Sequence, residues 1–568
     1  MADAWQLRTA DEDKARALAA ALGTRGLTAR ILVARGFVTA ESAGRFLSPR
    51  LGDLRPPVGI ADLDRAVERI VGAVARGEKV GVFADYDVDG ITSAAILALL
   101  LRSLGMEVVT RMAKRASGYG FSPDDATTLV ERGCGLILTG DCGTTDQESL
   151  ASCRSRGVDV IVIDHHHVPS GVTQAYALLN SHRQDDTFAF KGLASCGVAF
   201  YLAAAVRTRL RAEGDSRADA IDPRTWLDLV ALGTVADLVP LTHENRILVA
   251  AGLSELSALR RPGLAALAEL AGLPPGGLGT TQVSFRLAPR LNAAGRLGDA
   301  QLALELLLAD DLARARELAG ALEELNRERQ RIQERVWAEA LAAAETQADA
   351  PALVLGAPGW HQGVVGIVAA KLVDRYGKPT VVVGFADGRG RGSARTTGGF
   401  DLCEGLERCR AHLAGFGGHP MAAGVTVDEA QFPDFRTAFL AAAAQHFANG
   451  PGASPMAVDA VASLADLDVT LAEELARLGP FGTDNGEPLL GLPRVRVRST
   501  RVVGASHLQL TLAHEEAVSE AIAFGMADRD PGSGACLDVI VTPEVDDFRG
   551  RRKIRLRLRH FTRSLGRQ

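Results

Sequence analysis

The sequence predicts an α/β protein in which a parallel-sheet domain is joined by a long helix to a smaller α/β domain, followed by a β-barrel module. Short apolar strands alternate with helices between about residues 55 and 240, which is typical of a parallel sheet covered on both faces. Residues 307–345 contain no proline and a single glycine, so they predict one long helix. Beyond a glycine- and proline-rich linker at 449–455, mostly β patterns continue to the end.

Composition limits the classes of protein that fit. The 568 residues are enough for roughly three to five domains. A net charge of −6 excludes a uniformly basic nucleic-acid binder but allows local basic patches. The seven cysteines are scattered and form no C-x-x-C pair, which argues against a disulfide framework or a zinc finger and favours a reducing cytoplasm. No signal peptide is recognisable, and the longest apolar run, 94–101, is too short to cross a bilayer.

The first α/β region follows about 50 residues that predict helices ending near Pro49. Its apolar runs predict strands at Val80–Ala84, Glu107–Thr110, Leu136–Thr139 and Asp159–Ile163. The segments between and after them predict helices at Thr92–Leu104, Asp146–Arg156 and Ser195–Arg211. Open α/β sheets bind ligands at the carboxyl ends of their strands, so that edge is the candidate site.

Acidic and imidazole side chains follow three of these apolar runs and a fourth apolar segment at 231–236. Several carboxylates can share one place only with cations or protons between them. Mixed carboxylate and imidazole sets suit divalent transition metals, Mn²⁺ among them. The residues in these positions are Asp85, Asp87, Asp89, Asp141, Asp164, His165, His166, His167 and Asp237.

Asp87 and Asp89 are expected to serve two adjacent ions. On an extended backbone their side chains would leave in different directions, and Gly90 would allow the turn into a helix that begins at Thr92. Two ions about 3.5–4 Å apart clamp the attacking and leaving oxygens of phosphoryl transfer. Each piece alone has a simpler explanation, because a single Asp after a strand is usually a helix N-cap, as expected for Asp146. Four such pieces in one α/β region favour the metal site.

The segment 307–345 would span about 50 Å as one helix. We expect it to join two domains, and an ordinary core helix of one domain is the alternative. The second α/β unit is predicted from strands at Ala352–Gly356 and Thr380–Gly384, which flank a helix at Val364–Tyr376.

Two glycine-containing basic segments, Pro289–Arg296 and Gly390–Arg395, are expected to be phosphate-binding loops. Arginine matches phosphate oxygens with a planar fork, and glycines let backbone N–H groups approach an anion. Two ordinary solvated turns explain the spacing equally well.

Cations close to aromatic residues suggest a single-strand groove. Arg111, Lys114 and Arg115 precede Tyr119 and Phe121, a mixture that suits phosphate neutralisation and base stacking. A solvated loop with two core aromatic residues is an equally good interpretation.

Basic and apolar residues alternate in 494–498 and 553–559. A strand places every second residue on one face, so each segment would bury aliphatic side chains and present a positive row that includes Arg496, Arg555 and Arg557. Two such strands in a β-rich module predict an OB-fold barrel that follows a phosphate backbone. Charged sheet edges that prevent aggregation are the alternative.

The motifs together resemble a known family. Four segments resemble, in order, the motifs of the DHH phosphoesterase superfamily: Asp85–Gly90, Asp141–Gly143, Asp164–His166 and Gly233–Asp237. Gly392–Arg395 and Gly415–His419 resemble its C-terminal DHHA1 domain. From about residue 30 onwards, the order of domains resembles the single-strand-specific 5′→3′ exonucleases of that superfamily.

The resemblance implies two divalent ions, with Mn²⁺ preferred and Mg²⁺ as the alternative. Their ligands would be Asp87, Asp89, Asp141, His165 and Asp237, with Asp141 bridging and His166 beside the scissile phosphate. Arg296, Ser393, Arg395 and His419 would bind the phosphate of the 5′-terminal nucleotide. Small relatives carry a histidine where this chain has Phe83, so the role of Asp85 stays open.

The resemblance also implies the division of the chain and its function. We expect an N-terminal helical region at 1–50, a DHH catalytic domain at 51–306, a connecting helix at 307–346, a DHHA1 domain at 347–450 and an OB-fold nucleic-acid-binding domain at 456–568. The implied activity is metal-dependent 5′→3′ degradation of single-stranded DNA to mononucleoside 5′-phosphates, in cytoplasmic DNA repair and recombination. A single-strand-binding protein and a helicase are the expected partners. The alternatives are a phosphodiesterase for cyclic dinucleotides or short oligonucleotides and a non-catalytic replication scaffold.

Overall fold

The structure is a computed structural model that describes residues 5–115, 118, 120–169, 171, 174–448, 456–504, 506–548 and 551–564. The N-terminal region contains a short strand and three helices. Their bounds are β1 Trp5–Leu7, α1 Glu12–Leu22, α2 Gly26–Ala34 and α3 Ala40–Leu47. Asp11 and Thr39 cap α1 and α3 through their side chains, as short polar residues before a helix commonly do.

The first α/β domain contains the predicted parallel sheet, with strand order β3-β2-β4-β5-β6. Its central strands are buried along their whole length, as a sheet covered by helices on both faces requires. The elements are α4 Leu63–Arg76, β2 Val80–Ala84, α5 Val88–Ser103, β3 Val108–Met112, α6 Pro123–Glu131, β4 Leu136–Gly140, α7 Gln147–Ser155, β5 Asp159–Ile163 and β6 Ala177–Leu179.

Helices complete this domain. They are α8 Ser195–Ala212, α9 Leu227–Ala236, α10 His243–Ser257, α11 Pro262–Leu270, α12 Thr280–Gln282, α13 Ala288–Leu297 and α14 Gln301–Leu308, with a π-helical turn at Val283–Leu287. The predicted loop at 289–296 is therefore wrong, because these residues form α13. Gly295 is needed for close approach rather than for a turn, since a Cβ there would lie 2.2 Å from the carbonyl oxygen of Tyr86.

The start of α5 also differs from the prediction. The helix begins at Val88 rather than Thr92, because the Asp87 side chain accepts a hydrogen bond from the Gly90 N–H at 3.1 Å and caps it. Gly90 makes no turn, since a Cβ there would lie 2.3 Å from the carbonyl oxygen of Asp85. Asp87 and Asp89 thus diverge as an N-cap and a first-turn residue, not as neighbours on a strand.

The predicted cap of α7 is correct in position only. Asp146 directly precedes the helix, but its side chain makes no capping hydrogen bond. It accepts the N–H of Phe121 at 2.6 Å instead, so it ties the loop before α6 to the loop after β4.

The long helix α15, Leu312–Glu345, has 34 residues and a length of about 51 Å. Leu318 and Leu322 near its start pack in the core of the first domain. Val336 and Ala340 near its end pack in the second. The helix therefore joins two domains, as expected, and the alternative of a core helix of one domain is wrong.

The second α/β domain has a mixed sheet of order β10-β11-β9-β8-β7 in which only β7 and β8 are parallel. The predicted loop at 390–395 is wrong, because these residues lie in β9, where glycines fit against the side chains of the neighbouring strand β8. The elements are β7 Leu353–Pro358, α16 Gln362–Tyr376, β8 Thr380–Ala386, β9 Arg389–Arg395, α17 Leu402–Glu407, β10 Gly415–His419, β11 Ala422–Asp428 and α18 Phe432–Phe447.

The C-terminal module is a five-stranded barrel that β14 and β17 close by pairing with each other. Its elements are β12 Met456–Val458, β13 Ala460–Val461, α19 Val469–Ala476, β14 Leu490–Val503, β15 His507–His514, β16 Ala517–Ala523, β17 Cys536–Phe548 and β18 Arg551–Arg563. The N-terminal helices share its core, with Leu18 and Leu32 packing beside barrel residues, and β1 pairs with β12.

A buried arginine connects the first α/β domain to this module. Arg246 of α10 donates to the carbonyl oxygen of Phe46 at 2.8 and 3.1 Å and to that of Leu478 at 2.9 Å. Its guanidinium also lies 3.7 Å from the centroid of the Phe46 ring. These contacts bring together α10, the end of α3 and the segment after α19. Among the described residues, no helix is long and apolar enough to cross a membrane.

Candidate metal centre and facing cleft

The carboxyl ends of β2, β4 and β5 bring the motif side chains together. Possible ligand atoms lie within 4.8 Å of one another in three groups of residues. The groups are Asp89, His165 and Asp237; Asp85, Asp87 and Asp141; and Asp141, His165 and His166. All five predicted metal ligands belong to these groups.

Asp141 lies between the other ligands. Its Oδ1 is 3.3 Å from His165 Nε2, and the same nitrogen is 3.3 Å from Asp237 Oδ2. The backbone of Asp141 has a φ of +61°, a left-handed conformation that is uncommon outside glycine and that clusters at functional sites. Asp141 belongs to two of the three groups and lies beside His165 of the third, and its bridging role stays a prediction.

Glycine in the fourth motif allows Asp237 to reach this cluster. A Cβ at Gly233 would lie 2.3 Å from Thr92 Oγ1 and 2.9 Å from Asp89 Oδ1. Only glycine therefore lets α9 approach α5 closely, and Asp237 stands at the end of α9.

The residues fit divalent metal ions. Buried Oδ1 of Asp85, Nε2 of His165 and Oδ2 of Asp237 have no hydrogen-bond partner among the described residues. Burial, followed by repulsion from neighbouring carboxylates, raises the pKa of Asp237 to about 9 and that of Asp141 well above its usual range. Such atoms are costly to bury unless something neutralises and coordinates them, which cations do.

Asp85 belongs to the same environment. It is buried, and burial together with the Asp87 charge raises its pKa well above the usual range. Its carboxylate groups with those of Asp87 and Asp141, so it is placed to replace the ligand that a histidine supplies in small relatives and that Phe83 cannot supply here. Phe83 itself is a core residue that packs against Phe121 with ring centroids 4.9 Å apart.

Asp164 supports the site without joining the ligand groups. Its Oδ1 accepts hydrogen bonds from the backbone N–H of His165 and lies 2.7 Å from His166 Nδ1, and its Oδ2 accepts the Thr144 hydroxyl at 2.6 Å. Burial opposes both charges, yet this contact lowers the pKa of Asp164 and raises the pKa of His166 to about 9. The pair thus orients the His166 ring and favours its cationic form. Sequence reasoning missed Thr144, although it directly follows the second motif.

A cleft of about 570 Å³ separates this edge from the second domain. The first domain contributes Tyr86 and Arg115, and the second contributes Arg391, Ser393 and Phe416. Arg115 lies with its guanidinium 4.1 Å from the centroid of the Tyr86 ring and donates to the carbonyl oxygen of Gly295 at 3.0 Å.

Of the predicted phosphate binders, Ser393 lines this cleft. Arg296 Nη1 donates to the carbonyl oxygen of Gly363 at 2.9 Å, and Arg395 Nη1 to that of Ala394 at 2.8 Å. Burial, and then the nearby arginines, lower the pKa of Arg296 to about 10. Within the described residues neither arginine forms an ion pair. His419 lies with its ring centroid 6.2 Å from that of His166, so the two domains meet at the metal edge.

The structure separates the members of the predicted groove near residue 115. Arg111 pairs with Asp125 at 2.6 Å, and exposed Lys114 lies 3.5 Å from Asp299. Arg115 lines the cleft, and Phe121 is a core residue. Tyr119 lies outside the described residues.

Of the two basic strands of the barrel, β18 is largely neutralised. Arg555 lies 3.6 Å from Asp546 and 3.8 Å from Glu544, and Arg557 pairs with Glu487 and, at 2.8 Å, with Glu544. Arg496 differs, because it is exposed and forms no ion pair in the part of the chain that the structure describes. Binding of nucleic acid by these three residues stays a prediction.

Comparison with known proteins agrees with this geometry. Family models match at residues 79–234 (DHH family, N-terminal domain), 349–445 (DHHA1 domain) and 458–560 (RecJ OB domain). The single-stranded-DNA-specific exonuclease RecJ of Bacillus subtilis is 35% identical over 98% of this chain and 70% of its own length. The exonuclease of the same name from Salmonella typhimurium is 35% identical over 97% of this chain and 98% of its own length.

The chain belongs to the RecJ family. The crystal structure of Thermus thermophilus RecJ in complex with Mn²⁺ covers 100% of this chain and 81% of its own, with a TM-score of 0.84 and 31% identity. The complex of that protein with Mg²⁺ has a TM-score of 0.78. RecJ proteins thus hold both of the ions expected from the sequence, and the acidic clusters of this chain suit the same ions.

Proposed function

We propose that this RecJ-family protein is a metal-dependent exonuclease that degrades single-stranded DNA from its 5′ end to mononucleoside 5′-phosphates. The observation that carries the proposal is a set of uncompensated groups of both signs where the two domains meet. Buried carboxylates with atoms that lack hydrogen-bond partners lie at the metal edge, and the partly buried Arg296 and Arg395 form no ion pair among the described residues. A phosphate chain with divalent ions neutralises both sets. Relatives named as single-stranded-DNA-specific exonucleases support this substrate.

The ions would be held by Asp87, Asp89, Asp141, His165 and Asp237, with Asp85 beside Asp87. When bound, they neutralise the phosphate and make hydroxide available near neutral pH. The protein itself aligns the reacting groups. His166 keeps its Nδ1 on Asp164, so its Nε2 is the nitrogen that can meet the scissile phosphate and stabilise its charge.

Polarity would come from the meeting of the two domains. Ser393, Arg395 and His419 of the second domain would bind the phosphate of the 5′-terminal nucleotide, and Arg296 and Arg115 would contact it from the first domain. A terminal phosphate held by these residues would place the next phosphodiester at the metals, so one nucleotide would be released per cut. The barrel would bind the strand that follows, chiefly through Arg496.

The cellular role follows as part of the same proposal. Removal of 5′ ends from single strands serves DNA repair and recombination in the cytoplasm. There, a helicase would supply the strand and a single-strand-binding protein would cover it.

The decisive experiment is digestion of a 5′-phosphorylated single strand with Mn²⁺, labelled at one end or the other. We expect the 5′ label to appear at once as a mononucleotide, while the 3′-labelled strand shortens progressively. Release of the 3′ label first would reverse the polarity. Preference for a cyclic dinucleotide offered in competition would favour the alternative phosphodiesterase, and absence of both cleavage and Mn²⁺ binding would favour the scaffold.

A further inference from the structure

The start of α8 lies against the metal centre. Helix α8 has 18 residues, and its N-cap, Ala194, offers no side-chain hydrogen bond to the first turn. The first backbone N–H groups of a helix need acceptors from elsewhere. Asp89 supplies them, because its Oδ2 accepts the Ser195 N–H at 2.7 Å and its Oδ1 accepts the Cys196 N–H at 3.0 Å.

The hydroxyl of Ser195 makes a second contact with the metal ligands. Ser195 Oγ donates to Asp141 Oδ1 at 3.1 Å, and the residue is fully buried. One serine therefore touches two ligand carboxylates, through its N–H on Asp89 and its hydroxyl on Asp141. These are the ligands of different groups in the cluster.

From this arrangement we infer that Ser195 is a positioning residue for the metal centre, which sets the orientation of Asp141 relative to Asp89. Neighbours that bond to ligand carboxylates fix which lone pairs face the ions, and their loss typically weakens metal binding about 10- to 100-fold. Substitution by alanine or cysteine keeps the backbone N–H, so the hydroxyl is the part of Ser195 that these side-chain changes can test.

The chain offers a matched control. Ser149 is also buried, and its hydroxyl donates to a backbone carbonyl, that of Phe121, away from the ligand groups. Ser149→Ala removes the same chemical group with the same loss of volume. Ser195→Cys gives a second variant of Ser195 that keeps the side-chain size with a weaker donor.

The test is calorimetric titration of the metal-free full chain with MnCl₂, independent of nuclease activity. We expect Ser195→Ala to bind Mn²⁺ about 10-fold more weakly than the unmodified protein. Ser195→Cys should be intermediate, and Ser149→Ala should be unchanged. Thermal melting in EDTA should show equal stability for both alanine variants, which separates a metal effect from a folding effect.

The inference rests on the proposed metal dependence, and its failure is distinguishable from failure of that proposal. If the unmodified protein binds no Mn²⁺, the metal centre itself is wrong. If the unmodified protein binds Mn²⁺ and Ser195→Ala binds it within twofold, only the role of Ser195 is wrong. An equal loss in Ser195→Ala and Ser149→Ala would also overturn it. If Ser195→Ala does not fold, Ser195→Cys decides, and unaltered affinity in that folded variant overturns the inference.

Discussion

The arginines of the cleft and those of the barrel differ in what compensates their charge. Arg296 and Arg395 are partly buried, donate to main-chain carbonyls and form no ion pair among the described residues. Arg555 and Arg557 are bound by carboxylates of the barrel and of the segment that leads into it. A buried cation without a partner is costly, so it persists where a ligand will supply the opposite charge. Positive charge in a sequence is therefore not the same as charge that remains available to a substrate.

The largest effect is expected at the metal edge that faces the cleft arginines. Asp141→Asn should lower the rate of hydrolysis by about 10³-fold or more, because metal ions supply several kcal/mol of transition-state stabilisation. Single-turnover digestion measures this rate. Binding of single-stranded DNA should remain measurable, and Asp124→Asn, at an exposed acidic position on α6, should retain full activity. Nuclease activity close to normal in Asp141→Asn would refute the metal mechanism.

The next effect compares one arginine from each set. Arg395→Ala should lower kcat/KM on 5′-phosphorylated strands about 10- to 100-fold, since a hydrogen bond to a charged group contributes about 1.5–3 kcal/mol. Arg555→Ala should change it less than twofold. Assays with 5′-phosphate and 5′-hydroxyl strands measure the preference that Arg395→Ala should lose. Equal losses of kcat/KM in the two variants would show that paired and unpaired arginines contribute equally to binding of the substrate.

A smaller effect tests the barrel alone. Arg496→Ala should reduce the slope of log affinity against log salt by about 0.7, the value for one phosphate contact on a single strand. Arg557→Ala should leave the slope unchanged because its charge is already paired. Fluorescence anisotropy in EDTA measures both slopes. A reduced slope for Arg557→Ala would show that the internal ion pairs open when DNA binds.

The smallest effect concerns the groove predicted around residue 115. Arg111→Ala should leave the affinity for single-stranded DNA unchanged, because Arg111 already pairs with Asp125. It should lower the free energy of unfolding by about 1 kcal/mol or less, as partly exposed ion pairs do. Urea denaturation measures the stability. A clear loss of DNA affinity would return Arg111 to the binding surface.

Much of the fold could be predicted because its signals are local. Buried strands such as β2 and β5 are continuous apolar runs, and their bounds agree with the sequence to the residue. Two of the errors came from glycine. Gly90 and Gly295 suggested turns, whereas the structure uses them for close contact with the backbone of Asp85 and Tyr86. The sequence shows that a glycine has no side chain, but it does not show which neighbouring segment occupies the space.

The residues of the candidate site also fall into those that the sequence predicted and those that it did not. Side chains placed by strand ends, such as Asp141 and His165, were predictable from order and spacing. Ser195 was not, because its role depends on α8 packing against α5, a contact between segments about a hundred residues apart. The ion pairs of Arg555 and Arg557 also escaped prediction, since tertiary packing brings in their partners: Glu544 and Asp546 of β17 for Arg555, and Glu544 and Glu487 for Arg557.

Arg246 holds the barrel at a constant distance from the metal edge of the first domain. Rotating the barrel away would break the hydrogen bonds of this guanidinium to Phe46 and Leu478 and its contact with the Phe46 ring, at a cost of roughly several kcal/mol. The barrel and the metal edge therefore move together and do not close on each other. A strand that reaches from one to the other must cover a constant distance, so any change in its path has to come from the flexibility of the strand itself.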